Sequence, residues 1–375
     1  MEFTDGYSNL SYLNITKQLC NELYENTNTN KKSKLSFYYD SDTFFNAYTY
    51  TKGTNDYMCM YVGTILNAFA HIKSAFCSSS FLLNFGNPNL EKNNHVSGKF
   101  DITQKQLLFT ADPIDPIRQE LSTYTALMMI RYIYGHELGH ILNGHTSYIS
   151  NLYAVPKLEM ICKKFLSNFS EKLQEQYALD RRTLEMDADS FAASMSIDNI
   201  IMLYIQQNEN PHFFNLLNDS CDIFTLWSFA IHSIFLLFEY HSASSYNSLS
   251  FYLPNEAREI LSLSSSLNAL NDYIKHNIFE CSKTLYQKII SKIFDGINEA
   301  ENYFNSIYYT NYHFIQNTNN NPIYSRFADE VLTHWNDKLY PRLKKYARVP
   351  LYHPDTIEST MEFLKNGPMS RFSTS

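Results

Sequence analysis

The sequence predicts an α+β fold in which a small N-terminal sheet sits against a mostly helical body. Two observations carry that expectation. Glycine (10) and proline (11) are scarce in 375 residues, each about 3% where about 7% and 5% are usual, which disfavours turn-dense sandwiches and barrels. Aromatic runs broken by turn residues lie near the N-terminus, and beyond residue 111 apolar residues recur at helical spacing almost throughout. Taken in order, residues 35–62 (LSFYYD, FNAYTYT, DYMCMYV) are interrupted by DSD and KGTND, the pattern of short strands joined by turns. Helical spacing follows from Thr64 to Leu83. Residues 99–110 return to extended character before the proline-bearing ADPIDP. Helices are then expected at 116–143, about 153–168, 172–206, 211–240, 255–309 with breaks, and 324–347. The Asn-rich stretches 27–34 and 316–322 read as loops, and 366–375 as a frayed tail. No repeat or deep composition shift forces a domain boundary. The chain is therefore read as one unit: an N-terminal α+β part (1–110), a middle pair of chemistry-bearing helices (111–206), a helical C-terminal part (207–365) and the tail.

Composition narrows the function classes. Hydrophobic residues make up 44% and charged ones 18%, which excludes global disorder. Thirty Lys+Arg against 38 Asp+Glu give a formal charge of −8, and no basic run interleaves with the many Tyr and Phe, so no nucleic-acid partner is expected. Six scattered cysteines (Cys20, Cys59, Cys77, Cys162, Cys221, Cys281) form no CxxC pair, and the N-terminus lacks the apolar core of a signal peptide, so a reducing cytoplasm is the expectation. The most apolar stretch, Leu226 to Phe238, includes Ser228, His232 and Ser233 and is shorter than the roughly 20 residues a bilayer crossing needs. It is read as a buried helix with no transmembrane span, peripheral membrane contact remaining open.

Residues 121–144, LSTYTALMMIRYIYGHELGHILNG, form an apolar helix whose sole charge before His136 is Arg131. Such a helix is expected to be buried. Polar groups inside it need partners, because an unpaired buried polar group costs about 1–3 kcal/mol. His136 and His140 stand four apart, about 40° around the helix, so both imidazoles project from one face and can share one tetrahedral ion. Glu137 falls about 100° away, beside the ion, where a base reaches an attacking water. Chance would give an HExxH string roughly 0.02 times in such a chain, so the match carries information.

Two residues compete for the third ligand. A metzincin pattern, HExxHxxGxxH, would need Gly at 143 and His at 146; here Asn143, Gly144 and His145 stand instead, one residue out of step. Gly144 is expected to end the helix, leaving His145 structural or on a cleft rim. Glu185, in LQEQYALDRRTLEMDADSFAASM, is the stronger candidate. Asp189 shares its face, and Phe191, Ala192 and Ala193 would let this helix pack closely on the first. Asp189 could then accept the second ring N–H of a ligand histidine, while Asp187, about 200° from Glu185, is expected to be only solvated.

HELGH followed by Glu185 in EMDAD resembles the gluzincins, in which a Glu on a later helix completes HExxH. More narrowly, HELGHILNGH with LEMDADSFA is similar to the Lit phage-exclusion peptidase family, over residues 130–195. The resemblance implies a zincin-like fold and a zinc endopeptidase of bacteria or their prophages, in a family whose named member cleaves translation elongation factor Tu during phage infection. It implies Zn²⁺ on His136, His140 and Glu185, with Glu137 as base. A donor for the developing oxyanion is sought among His145, His241, Tyr252 and Arg258, Arg258 being preferred. His71, His95, His212, His232, His276, His313, His334 and His353 are read as structural or exposed. Three alternatives stay open: a regulatory or housekeeping gluzincin with another protein substrate, a non-enzymatic zinc-stabilised interaction protein whose site a fourth ligand such as His145 would close, and a degenerate scaffold that holds no metal. The sequence leaves the oligomeric state undetermined.

Overall fold

A computed structural model describes residues 12–27, 33–101, 103–104, 106–153, 170–241, 246–313 and 322–351. The helix expected at about 153–168, Cys162, His353 and the tail lie outside these residues. The chain is mostly helical with a small sheet region. Helix α1 (Tyr12–Thr27), for which the sequence reading had no element, buries Leu13, Leu19, Cys20 and Leu23 along one face. Three strands follow: β1 (Lys34–Asp40), β2 (Ala47–Lys52) and β3 (Asn55–Tyr61). Their order is β1-β3-β2, with β1 parallel to β3 and β2 antiparallel to it, which leaves β2 at an edge. Strand β3 runs straight into α2 (Val62–Phe76), and β4 (Gly98–Asp101) and β5 (Gln106–Phe109) make a separate hairpin.

The extended and helical parts are tied together by the start of α3 (Pro116–Leu142). Asp115 caps it by accepting the Arg118 N–H, with Pro116 at the first turn, where its missing N–H costs nothing. Arg118 is fully buried and donates to the carbonyls of Phe76, Ser78, Phe81, Leu82 and Phe85. Helix α4 (His145–Tyr153) starts after Gly144, whose φ of +82° suits glycine; a Cβ there would lie 2.6 Å from Tyr346.

Helix α5 (Glu171–Ile205) runs along α3. The stretch expected as one helix at 211–240 is a short turn at Pro211–Phe214 followed by α6 (Asp222–His241). By length and composition α6 would suffice to cross a membrane, yet 83% of its apolar window is buried within the protein. It packs on α8 (Lys283–Tyr308) and beside α7 (Asn255–Lys275). His232 bridges these three helices, with one ring nitrogen against Glu259 and the other against Glu301. The last expected helix, 324–347, is interrupted: α9 (Pro322–His334) gives way to a π turn at Trp335–Leu339 and a short helical turn. The chain then returns to the sheet. The Arg348 N–H donates to Leu142 O at 2.7 Å, closing the end of α3, and its guanidinium reaches Asp56 of β3.

Two apolar clusters result. Along α5, Tyr177, Leu184 and Met186 belong to one and Ala192, Ile197 and Ile200 to the other. Glu185 and Asp189 fall at their junction, beside the HELGH segment of α3.

Candidate metal centre

Glycine brings the two helices together. A Cβ on Gly139 would lie 3.2 Å from Phe191 Cβ and 3.3 Å from Ala188 Cα, and one on Gly135 3.3 Å from Ala192 Cα. Small residues on α5 face glycines on α3, as the Ala-rich stretch led us to expect. At this close approach His136, His140 and Glu185 converge, their candidate donor atoms all within 4.8 Å of one another. His136 Nε2 is 3.2 Å from His140 Nε2 and 3.2 Å from Glu185 Oε2; His140 Nε2 to Glu185 Oε2 is 3.6 Å. Tetrahedral coordination with bonds of about 2.0–2.1 Å separates donor atoms by about 3.3 Å, so the spacing matches one small ion.

Each donor is held from behind by a buried partner. His136 Nδ1 lies 2.8 Å from Asp189 Oδ1, and Arg258 clasps that carboxylate with Nε to Oδ2 at 2.7 Å and Nη2 to Oδ1 at 3.0 Å. Glu185 Oε1 accepts from Arg181 Nη2 at 2.8 Å, leaving Oε2 toward the imidazoles. His140 Nδ1 is 2.9 Å from His145 Nδ1.

The electrostatics pull the three members of the triad in different directions. Burial pulls His136 down, but Asp189 and Glu185 outweigh it and raise its pKa to about 10. Burial holds His140 at about 3 in spite of Glu185. Glu185 faces the opposite balance: burial pushes its pKa up, while His140, His136 and Arg181 bring it well below the usual carboxylate range. Burial lifts Glu137 to about 7, close to where a general base works best. The triad and Glu137 line a cleft of about 970 Å³, with Asn46 to Thr49 on one wall and Phe238, Tyr246 and Phe251 to Arg258 on another.

The other sequence expectations sort as follows. His145 is fully buried behind His140, faces Asp187 with its other nitrogen and does not line the cleft; it is neither rim nor third ligand. Asp187 is not solvated: it is 2% exposed and accepts from Asn143 Nδ2 at 2.6 Å. The reason is that α5 is buried over most of Tyr177–Ser196, so the side opposite Glu185 meets protein. Arg258 lines the cleft, but its Nε and Nη2 are committed to Asp189, which removes the grounds for preferring it as oxyanion donor. Tyr252 lines the cleft and stacks over Arg258; the His241 side chain lies outside the described residues. Arg181, four residues before Glu185 on the same helix, is its buried ion-pair partner.

Compared with known proteins, the chain matches no family model, no curated protein and no solved structure.

Proposed function

We propose that the chain is a zinc-dependent endopeptidase with a zincin-like fold and a gluzincin metal set, hydrolysing a protein substrate in the cytoplasm. The observation that carries this reading is a His-His-Glu triad at tetrahedral spacing on the floor of a large cleft, with Glu137 beside it. A set of two imidazoles and one carboxylate is a zinc donor set that keeps one position open for chemistry. Zinc, when held by His136, His140 and Glu185, supplies Lewis acidity toward a peptide carbonyl and makes an attacking water acidic near neutral pH. Glu137, lifted to about 7 by burial, takes the proton of that water and returns it to the leaving amine. Among the described residues strand β2 pairs on one side only, with β3, and Ala47 to Thr49 line the cleft, so an extended peptide can lie along it by main-chain hydrogen bonding. Tyr252 is then the remaining described candidate to donate to the oxyanion.

The closed-site alternative is disfavoured by one observation: both nitrogens of His145 are engaged away from the ion position, by the rear nitrogen of His140 and by Asp187. The test is zinc quantification on the purified protein, followed by incubation with bacterial lysate and mass spectrometry of the fragments. Wild type should bind zinc and cleave; Glu137→Gln should bind zinc without cleaving; His140→Ala and Glu185→Ala should lose zinc. Fragments of elongation factor Tu would support the narrower family resemblance, and fragments of another protein a regulatory or housekeeping role. A Glu137→Gln variant that cleaves at the wild-type rate would remove Glu137 as base.

A further inference from the structure

Behind His140, on the side away from the cleft, a file of buried polar groups runs through His145 to Asp187. The spacings are 2.9 Å from His140 Nδ1 to His145 Nδ1 and 2.9 Å from His145 Nε2 to Asp187 Oδ2; Asn143 Nδ2 donates to the same oxygen at 2.6 Å. None of the four residues is more than 3% exposed. Two imidazole nitrogens share a hydrogen bond only when one donates and the other accepts. A neutral His145 that gives its Nε2 hydrogen to the Asp187 carboxylate oxygen keeps a lone pair on Nδ1. His140 must then donate from Nδ1, which leaves its Nε2 lone pair directed at Glu185 and His136. The other tautomer would set two lone pairs 2.9 Å apart and turn an N–H into the triad.

We propose that His145 and Asp187 are positioning residues that lock His140 in its Nδ1–H form and thereby set the affinity of the centre for zinc. This rests on the assignment of His140 as a ligand. The chain supports its two histidines differently: His136 leans directly on Asp189, whereas His140 reaches its carboxylate through a second ring. Gly144 makes this geometry, since its left-handed turn starts α4 with His145 tucked against the last turns of α3.

Zinc affinity by chelator competition, circular dichroism and ¹⁵N–¹H spectra of the imidazole rings test it together. Wild type should bind zinc and show a hydrogen on His140 Nδ1. His145→Phe keeps the ring shape without the relay and should fold, with zinc affinity lower by about 10–100-fold. His145→Gln, whose amide oxygen can take the His140 N–H and whose NH₂ can reach Asp187, should recover most of the loss. A folded His145→Phe binding zinc as tightly as wild type would overturn the proposal while leaving the peptidase reading intact. A His140 ring protonated at Nε2 in wild type would overturn it even if no variant folded, and a wild type that binds no zinc would overturn both.

Discussion

Gly139→Ala isolates the contact that brings the two ligand-bearing helices together. The new Cβ would meet Phe191 Cβ and Cδ1 at 3.2 Å and Ala188 Cα at 3.3 Å. Carbon atoms settle at about 3.5–4.0 Å, so α5 must retreat from α3 by about 0.5 Å. Two of these atoms belong to backbone or to a Cβ, which cannot swing aside. Glu185 rides on α5 one turn before Ala188, and metal–ligand bonds tolerate about 0.2 Å. Zinc affinity should therefore fall by about tenfold or more. Folding stability responds differently: replacing a mid-helix glycine gains about 1 kcal/mol in helix propensity, against an overpacking cost of about 1–3 kcal/mol. The net loss should be at most about 2 kcal/mol. Chelator competition measures the first quantity and urea unfolding in metal-free buffer the second. Gly135→Ala meets the same helix one turn on, Ala192 Cα at 3.3 Å besides the flexible tip of Met195 at 2.4 Å, so it should lose affinity in the same direction. If Gly139→Ala bound zinc like wild type, close helix approach would not be what sets the triad.

Two further outcomes concern the scaffold. His71, packed edge-on against Tyr303, is pushed down to about 3 by burial, with His95 adding to the effect. Its unfolded value is 6.5, so between pH 6.5 and 3 the unfolded chain binds more protons. Stability then falls on acidification by up to about 1.4 kcal/mol per pH unit. His71→Phe should remove that share of the slope in urea midpoints between pH 6.5 and 4.5; an unchanged slope refutes the assignment. Arg118→Met removes a donor from five carbonyls, of which Leu82 O keeps the Phe85 N–H, and should cost about 3–5 kcal/mol in urea unfolding, and a loss under about 1 kcal/mol would mean those carbonyls find other partners.

What could be read from the sequence was local. The HELGH helix and the Glu185 helix carry strong patterns because fixed helical geometry translates spacing into direction, and Asp189 followed from the same rule. Helix α1 carries the same kind of signal in the spacing of Leu19 and Leu23 on its buried face. Asp187, expected in solvent, is buried. A helical wheel gives direction but not surroundings, and α5 is buried over much of its length, so a side chain opposite Glu185 meets another element instead of water. The parallel pairing of β1 with β3 depends on residues 41–46 carrying β2 to the far side of β3, which alternation within each strand does not encode.

The charge balance of the site explains why one substitution separates chemistry from folding. Four carboxylates, Glu137, Glu185, Asp187 and Asp189, are buried within two helices, against the guanidinium groups of Arg181 and Arg258. Formally, with the imidazoles neutral as metal binding requires and Glu137 ionised, that is two negative charges in excess, the amount one divalent cation at the triad offsets. Three of these carboxylates are engaged with imidazoles or guanidinium groups. Glu137 instead faces the cleft, and its raised pKa reflects the cost of ionising it there. Residues held in this way for reaction destabilise the fold that contains them. Glu137→Gln keeps the shape and removes the charge, so in metal-free buffer near pH 8 it should unfold at the same or higher urea concentration than wild type while turnover is lost. A variant that lost stability together with turnover would make Glu137 a structural carboxylate, and the base would have to be sought elsewhere in the cleft.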